Sequence, residues 1–183
     1  MRSMKSVVFK ALLLGAALSA AGLFFTRPQR LAPDALAGTA PDEARGALVF
    51  AAMGCASCHM APETDAQKVL AGGKSFQTDF GTFYAPNIST DPTFGIGSWS
   101  DLDIANAVLK GTSPDGQHYY PVFPYGSYAR ADIADIADLI AFLRTLEPSQ
   151  TPSFPHDVSF PFNIRASLGG WKMLFARSDW VVT

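Results

Sequence analysis

The apolar positions along this chain change their spacing several times, and each change predicts an element. Val7 to Phe25 is almost continuously apolar, with Lys10 its one charge, and approaches the roughly 20 residues that span a bilayer. Arg2, Lys5 and Lys10 stand at its amino side, so the segment reads as the basic n-region and apolar h-region of an export signal. Ser19-Ala20-Ala21 offers small residues to a signal peptidase, and both a cleaved signal peptide and a retained anchor follow this pattern. The full length of the run favours the anchor, with Lys10 snorkelling and Arg27 and Arg30 beyond the far end. Those two arginines oppose the positive-inside rule weakly, being outnumbered by the amino-terminal basic group. Either way, the rest of the chain is expected outside the cytoplasm.

Thr26 to Pro41 is rich in Ala and Pro and predicts a tether without regular structure. Asp42 caps a helix that places Ala47, Phe50 and Ala51 on one face, and Gly54 lets the chain turn. Ala61 to Ser98 reads as loop, with five glycines, Pro86 and Pro92 among Phe76, Phe80, Phe83, Tyr84 and Phe94. Ser100 with Asp103 three residues on opens a second helix through Leu102, Ile104, Val108 and Leu109, which stops at Gly111. Asp132 opens a third, with Ile133, Ile136, Leu139, Ile140 and Leu143 at helical spacing and Pro148 just past its end. Asp132, Asp135 and Asp138 share that spacing and read as a solvated face rather than a metal site. After Pro148, Pro152, Pro155 and Pro161, the residues Ile164, Leu168, Trp171 and Phe175 form an apolar stripe, with Arg165, Lys172 and Arg177 elsewhere on the wheel. This short basic amphipathic helix suits a membrane surface, a partner subunit or its own domain.

The predicted organisation is a signal anchor or signal peptide over 1–27, a tether over 28–41, a small all-α domain of three or more helices over 42–147, and a Pro-rich linker with an amphipathic C-terminal helix over 148–183. Composition is that of a globular protein, with 48% hydrophobic residues, 16% charged and a net charge of −2. There is no basic face to suggest a nucleic-acid partner.

Candidate chemistry is concentrated in Cys55-Ala56-Ser57-Cys58-His59, which uses both cysteines of the chain and one of its three histidines. Two thiols one helical turn apart can each add to a vinyl group of the same porphyrin, and the adjacent imidazole then lies beneath the iron as proximal ligand. The pentapeptide therefore predicts one covalent haem c held by Cys55 and Cys58, with His59 on the iron. A redox-active thiol pair or a simple disulfide would give His59 no role. A haem also supplies the core on which the aromatic loop 61–98 can pack, although ordinary core packing explains each of those rings equally well. No Ser/His/Asp constellation, carboxylate pair or phosphate-cradling loop competes with this reading.

The haem motif, Tyr84-Ala85-Pro86-Asn87-Ile88-Ser89, Pro114-Asp115-Gly116 followed by His118-Tyr119-Tyr120-Pro121, Phe123-Pro124-Tyr125, Ser127-Tyr128, Phe160-Pro161-Phe162-Asn163-Ile164-Arg165 and Gly170-Trp171-Lys172 together resemble a known family. They are similar to the bacterial cytochromes c that serve as electron-transfer subunits of membrane-bound alcohol, gluconate and aldehyde dehydrogenases. The resemblance runs from about Asp42 to Phe175. It implies a cytochrome c fold, placement on the periplasmic side of the inner membrane, a membrane-associated dehydrogenase as electron donor, and a quinone pool, oxidase or another cytochrome as acceptor. Such relatives usually continue into further haem domains, so the sequence to Thr183 reads as a one-haem version or a truncated one.

The resemblance also implies a distal methionine three residues after the tyrosine matching Tyr128, and that position is Ala131. The other candidates are Met53, Met60, Met173, His118 and His156, none at the expected position. Met60 adjoins the proximal ligand, Met53 suits core packing, and Met173 and His156 require the tail to fold back. His118 is a weak candidate, because relatives carry a histidine in the same stretch. The expectation is an iron that is five-coordinate or weakly capped by water, in a pocket that includes Trp99, Phe123 and Tyr128. Two functions follow: a single-electron carrier without substrate chemistry of its own, and a haem c protein whose open distal site binds a small ligand or peroxide.

Overall fold

The computed structural model describes residues 4–62 and 68–176. Arg177 of the C-terminal amphipathic stretch and residues 63–67 of the expected loop lie outside the described residues. Helix α1 covers Met4–Phe25, α2 Glu43–Met53, α3 Cys55–His59, α4 Asp101–Lys110, α5 Tyr125–Tyr128, α6 Ile133–Arg144 and α7 Ser167–Phe175.

The helices begin and end where their caps require. The Asp42 carboxylate accepts the Arg45 amide at the start of α2, and Gly54 closes it at φ 69°. Ser100 and Asp103 form a reciprocal capping box on α4, which Gly111 ends at φ 57°. Asp132 accepts the Ala134 amide to open α6.

Helices α2, α4 and α6 enclose the core, where Leu70, Ile104, Ile136, Leu139 and Ile140 are buried together. Gly46 lets α2 lie close against α6: a Cβ there would stand 2.0 Å from the Asp138 carbonyl oxygen. Asp138 is buried at 2% exposure, which corrects its expected place on a solvated face. Its carboxylate accepts the Asp42 amide at 2.6 Å and the Arg45 Nε and Nη2 at 2.7 and 2.8 Å. The polar residue thus ties α6 to the first turn of α2, a role that helical spacing alone cannot reveal.

The domain is helical, but residues 61–98 are not all loop. Strand β1, Ser75–Thr78, and β2, Gly81–Tyr84, form an antiparallel hairpin with Phe76 opposite Phe83, and β3, Asp157–Val158, joins the other edge of β2. Four-residue strands fall at the lower limit at which alternation can be read, and β3 comes from the Pro-rich segment, more than 70 residues away in sequence. Gly81, at φ 131°, allows that pairing, since a Cβ would lie 2.2 Å from the Asp157 carbonyl.

Both segments expected as linkers are laid against the domain. On the amino side, the Leu31 amide donates to Asn106 Oδ1 at 2.7 Å, Thr112 Oγ1 donates to the Gln29 carbonyl at 2.9 Å, and Arg30 lies 3.7 Å from Asp103. On the carboxyl side, Asn87 Nδ2 donates to the carbonyls of Ser149 and Thr151 at 2.8 and 2.9 Å. Proline excludes regular elements but leaves its neighbours' carbonyls free to accept side-chain donors, which is how these segments are fixed. Lys172 of α7 donates to the Lys110 and Gly111 carbonyls, capping the C-terminus of α4. Gly169 of α7 abuts Thr26, just past α1.

Candidate functional site

Gly54 ends α2 and simultaneously opens the single turn of α3, so the five residues from Cys55 to His59 are delivered as one helical turn at the edge of the core. Above them lies a cavity of about 420 Å³, whose wall includes Cys55, Cys58 and His59. Trp99, Phe123 and Tyr128 stand on the same wall, together with Met53, Ile88 and Tyr120. Its size and aromatic lining are those of a site for a largely apolar ligand.

His59 is oriented by the backbone. His59 Nδ1 is 2.9 Å from the Pro86 carbonyl oxygen, an acceptor only, so Nδ1 carries the proton and Nε2 keeps its lone pair. Burial lowers the imidazole pKa, against the Pro86 carbonyl, which raises it. A neutral ring with an accepting partner on Nδ1 is the form that ligates a metal through Nε2. Among the described residues no group of three or more His, Cys, Asp or Glu side chains could hold a bare metal ion. With its Nε2 lone pair free, His59 can ligate an iron brought in by a porphyrin.

The two thiols are free. Burial pushes Cys55 up to about 11, whereas reactive thiol pairs depend on a lowered pKa. A neutral thioether suits that environment and a thiolate does not. Tyr128 donates its hydroxyl to the Met53 carbonyl at 2.7 Å, closing the cavity between the end of α2 and α5. The donor set and the apolar wall fit a covalently attached haem.

Ala131 is not among the residues that line the cavity; it packs against the core cluster that α2, α4 and α6 enclose. His118 is also placed elsewhere. It is buried at 5% exposure, with Nε2 2.9 Å from the Thr26 carbonyl oxygen; facing a carbonyl, that nitrogen is the donor. Met60 and Met173 do not line the cavity, while Met53 and His156 do. The tail does fold back, and it brings Phe154, His156 and Arg165 into the wall. Pro86 and Arg165 are contributions that sequence reasoning missed, and His156 was considered there only as an iron-ligand candidate. The Tyr84–Ser89 and Phe160–Arg165 segments were visible as motifs, but nothing in their spacing reveals a backbone acceptor or a return of the chain.

A family model described as cytochrome c matches residues 43–147. The chain is 52% identical over 165 residues to a diheme cytochrome c-type protein of Cereibacter sphaeroides, covering 89% of this chain and 56% of the relative. It is 36% identical over 135 residues to the cytochrome c subunit of a quinone-dependent alcohol dehydrogenase of Gluconacetobacter polyoxogenes, covering 73% of this chain and 28% of that protein. It is also 36% identical over 148 residues to the fructose dehydrogenase cytochrome subunit of Gluconobacter japonicus, covering 80% and 30%. The chain thus spans little more than half the length of the first of these relatives and less of the others. The matched residues contain α2, Cys55 to His59 on α3, the Pro86 acceptor, α4 and α6, which together supply most of the cavity wall, and the chain belongs to the cytochrome c family.

Proposed function

We propose that this chain carries one haem c, joined to Cys55 and Cys58 and ligated by His59, and that it passes single electrons from a membrane-associated dehydrogenase toward the respiratory chain. The observation that carries the reading is the meeting of both thiols and a neutral, Pro86-oriented imidazole on the wall of one apolar cavity. When bound, the haem supplies a one-electron couple. His59 would hold its iron on one face, and the apolar wall would exclude water from it. The two cysteines allow one attachment motif in this sequence. The dehydrogenase donor is supported by relatives named as cytochrome subunits of alcohol and fructose dehydrogenases; a quinone pool, an oxidase or another cytochrome would serve as acceptor.

Helix α1 supports an anchored location on the periplasmic side of the inner membrane. It is 22 residues long with no buried residue, hence about 33 Å at 1.5 Å per residue, enough for the hydrocarbon core of a bilayer.

A second reading has its own observation. The cavity wall carries Phe123 and Tyr128, whereas Ala131 packs on the core. An iron left open on its distal face would bind a small ligand or peroxide. The optical spectrum of the ferric protein separates the two functions. A low-spin spectrum with a methionine-to-iron charge-transfer band eliminates the open site, whereas high-spin features with rapid carbon monoxide binding on reduction eliminate a simple His/Met carrier. If a pyridine haemochrome assay of protein matured in a host with c-type haem attachment returns no haem c, both readings fall.

A further inference from the structure

Two polar groups in the wall of the cavity remain without a role. His156 is wedged between Phe83 and Tyr120, with ring centroids 5.3 and 5.6 Å away. Its Nδ1 accepts the Tyr84 amide at 3.2 Å, so Nε2 carries the proton and remains as a donor. That tautomer has no lone pair to offer an iron at Nε2, which removes His156 from the candidates for the sixth ligand. On Tyr120 lies the Arg165 guanidinium, 5.1 Å from the ring centroid. It has no carboxylate within 4 Å among the described residues. Both side chains line the cavity, and both come from the Pro-rich return segment beyond residues 43–147.

A cation and a neutral N–H donor in an aromatic wall call for an anionic, oxygen-bearing partner, since a half-buried guanidinium without one forfeits its hydrogen bonds. The haem presents such groups only at its propionate edge, on the side of the macrocycle opposite the vinyl positions that the cysteines take. We propose that Arg165 and His156 bind the haem propionates, so that the return segment completes a haem site begun by the cytochrome c domain. This rests on the haem c reading above. Asn87 and the β2–β3 pairing hold the segment in place, and the Tyr120 hydroxyl, donated to the Phe162 carbonyl at 3.1 Å, fixes the ring between the two groups.

A cation on the propionates offsets their preference for ferric iron, so its removal lowers the reduction potential. The test compares haem-loaded full-length protein with Arg165→Gln, Arg165→Lys and His156→Phe at low and high salt. Arg165→Gln is expected to lower the equilibrium constant for reduction roughly threefold to tenfold, tenfold being about 59 mV for a one-electron couple. The loss should persist in about 0.5 M salt, because a contact pair is screened much less than separated surface charges. Arg165→Lys should recover most of the potential, and His156→Phe, which preserves ring packing, should lower it by less. An unchanged potential in Arg165→Gln at normal haem content overturns the assignment, as does a shift that high salt abolishes. If Arg165→Gln fails to mature, the potentials of Arg165→Lys and His156→Phe decide: unchanged values in both overturn it. Absence of haem c in the unaltered protein would instead overturn the haem reading itself.

Discussion

Pro86 decides which nitrogen of His59 keeps its lone pair. Its carbonyl takes the Nδ1 proton, and no substitution at position 86 removes that acceptor, because the backbone supplies it. The pentapeptide was legible because attachment and ligation need contiguous residues; Pro86 and Arg165 were not, and His156 was legible only as an iron-ligand candidate, because their roles depend on chain segments brought together by folding. Position 131 does not line the cavity, yet the cluster on which Ala131 packs includes Ile96, Ile104, Leu139 and Leu143, which do. Ala131→Met therefore adds a thioether beside cavity-lining residues, and is expected to convert a high-spin ferric spectrum to low spin and to raise the potential; an unchanged spectrum would show that position 131 does not supply the distal ligand.

The joint between α2 and α6 concentrates the fold's sensitivity. Gly46→Ala would drive a methyl group into the Asp138 carbonyl and the Phe142 side chain, and the expected loss is about 3 kcal/mol in chemical denaturation. A loss under about 1 kcal/mol would show that the helices slide apart easily. At the same joint, hydrogen bonds from Arg45 hold the Asp138 carboxyl below the usual carboxylate range. The carboxylate therefore contributes stability above its unfolded pKa of about 3.9, and loses it as pH falls through the lower folded value. Asp138→Asn should flatten the acid limb of a stability-against-pH curve below about pH 4; an unaltered limb would exclude Asp138 as its source. The helices themselves were readable from Asp42, Ser100, Asp132 and Gly111, whose cap chemistry is local. The hairpin was not, since its two strands have four residues each and its third partner comes from Asp157–Val158.

At the scale of the whole molecule, the domain is held close to α1 rather than tethered at a distance. Thr26 meets His118 and Gly169, and residues 29–31 bond to α4 and the turn after it. Prolines in the intervening segment predict irregular backbone correctly but are silent on whether that backbone docks. If α1 is a retained anchor, the full chain stays in the membrane fraction through high-salt and carbonate washes, and replacing residues 1–25 with a cleavable leader releases a haem-bearing domain to the periplasm. Release of the unaltered chain as a shortened soluble protein would contradict the anchor. The most direct test of the account is haem stoichiometry, measured by pyridine haemochrome and intact mass on exported protein. One haem c per chain, lost when Cys55 and Cys58 are both replaced by alanine, is the predicted result; a haem-free chain carrying a Cys55–Cys58 disulfide would contradict it.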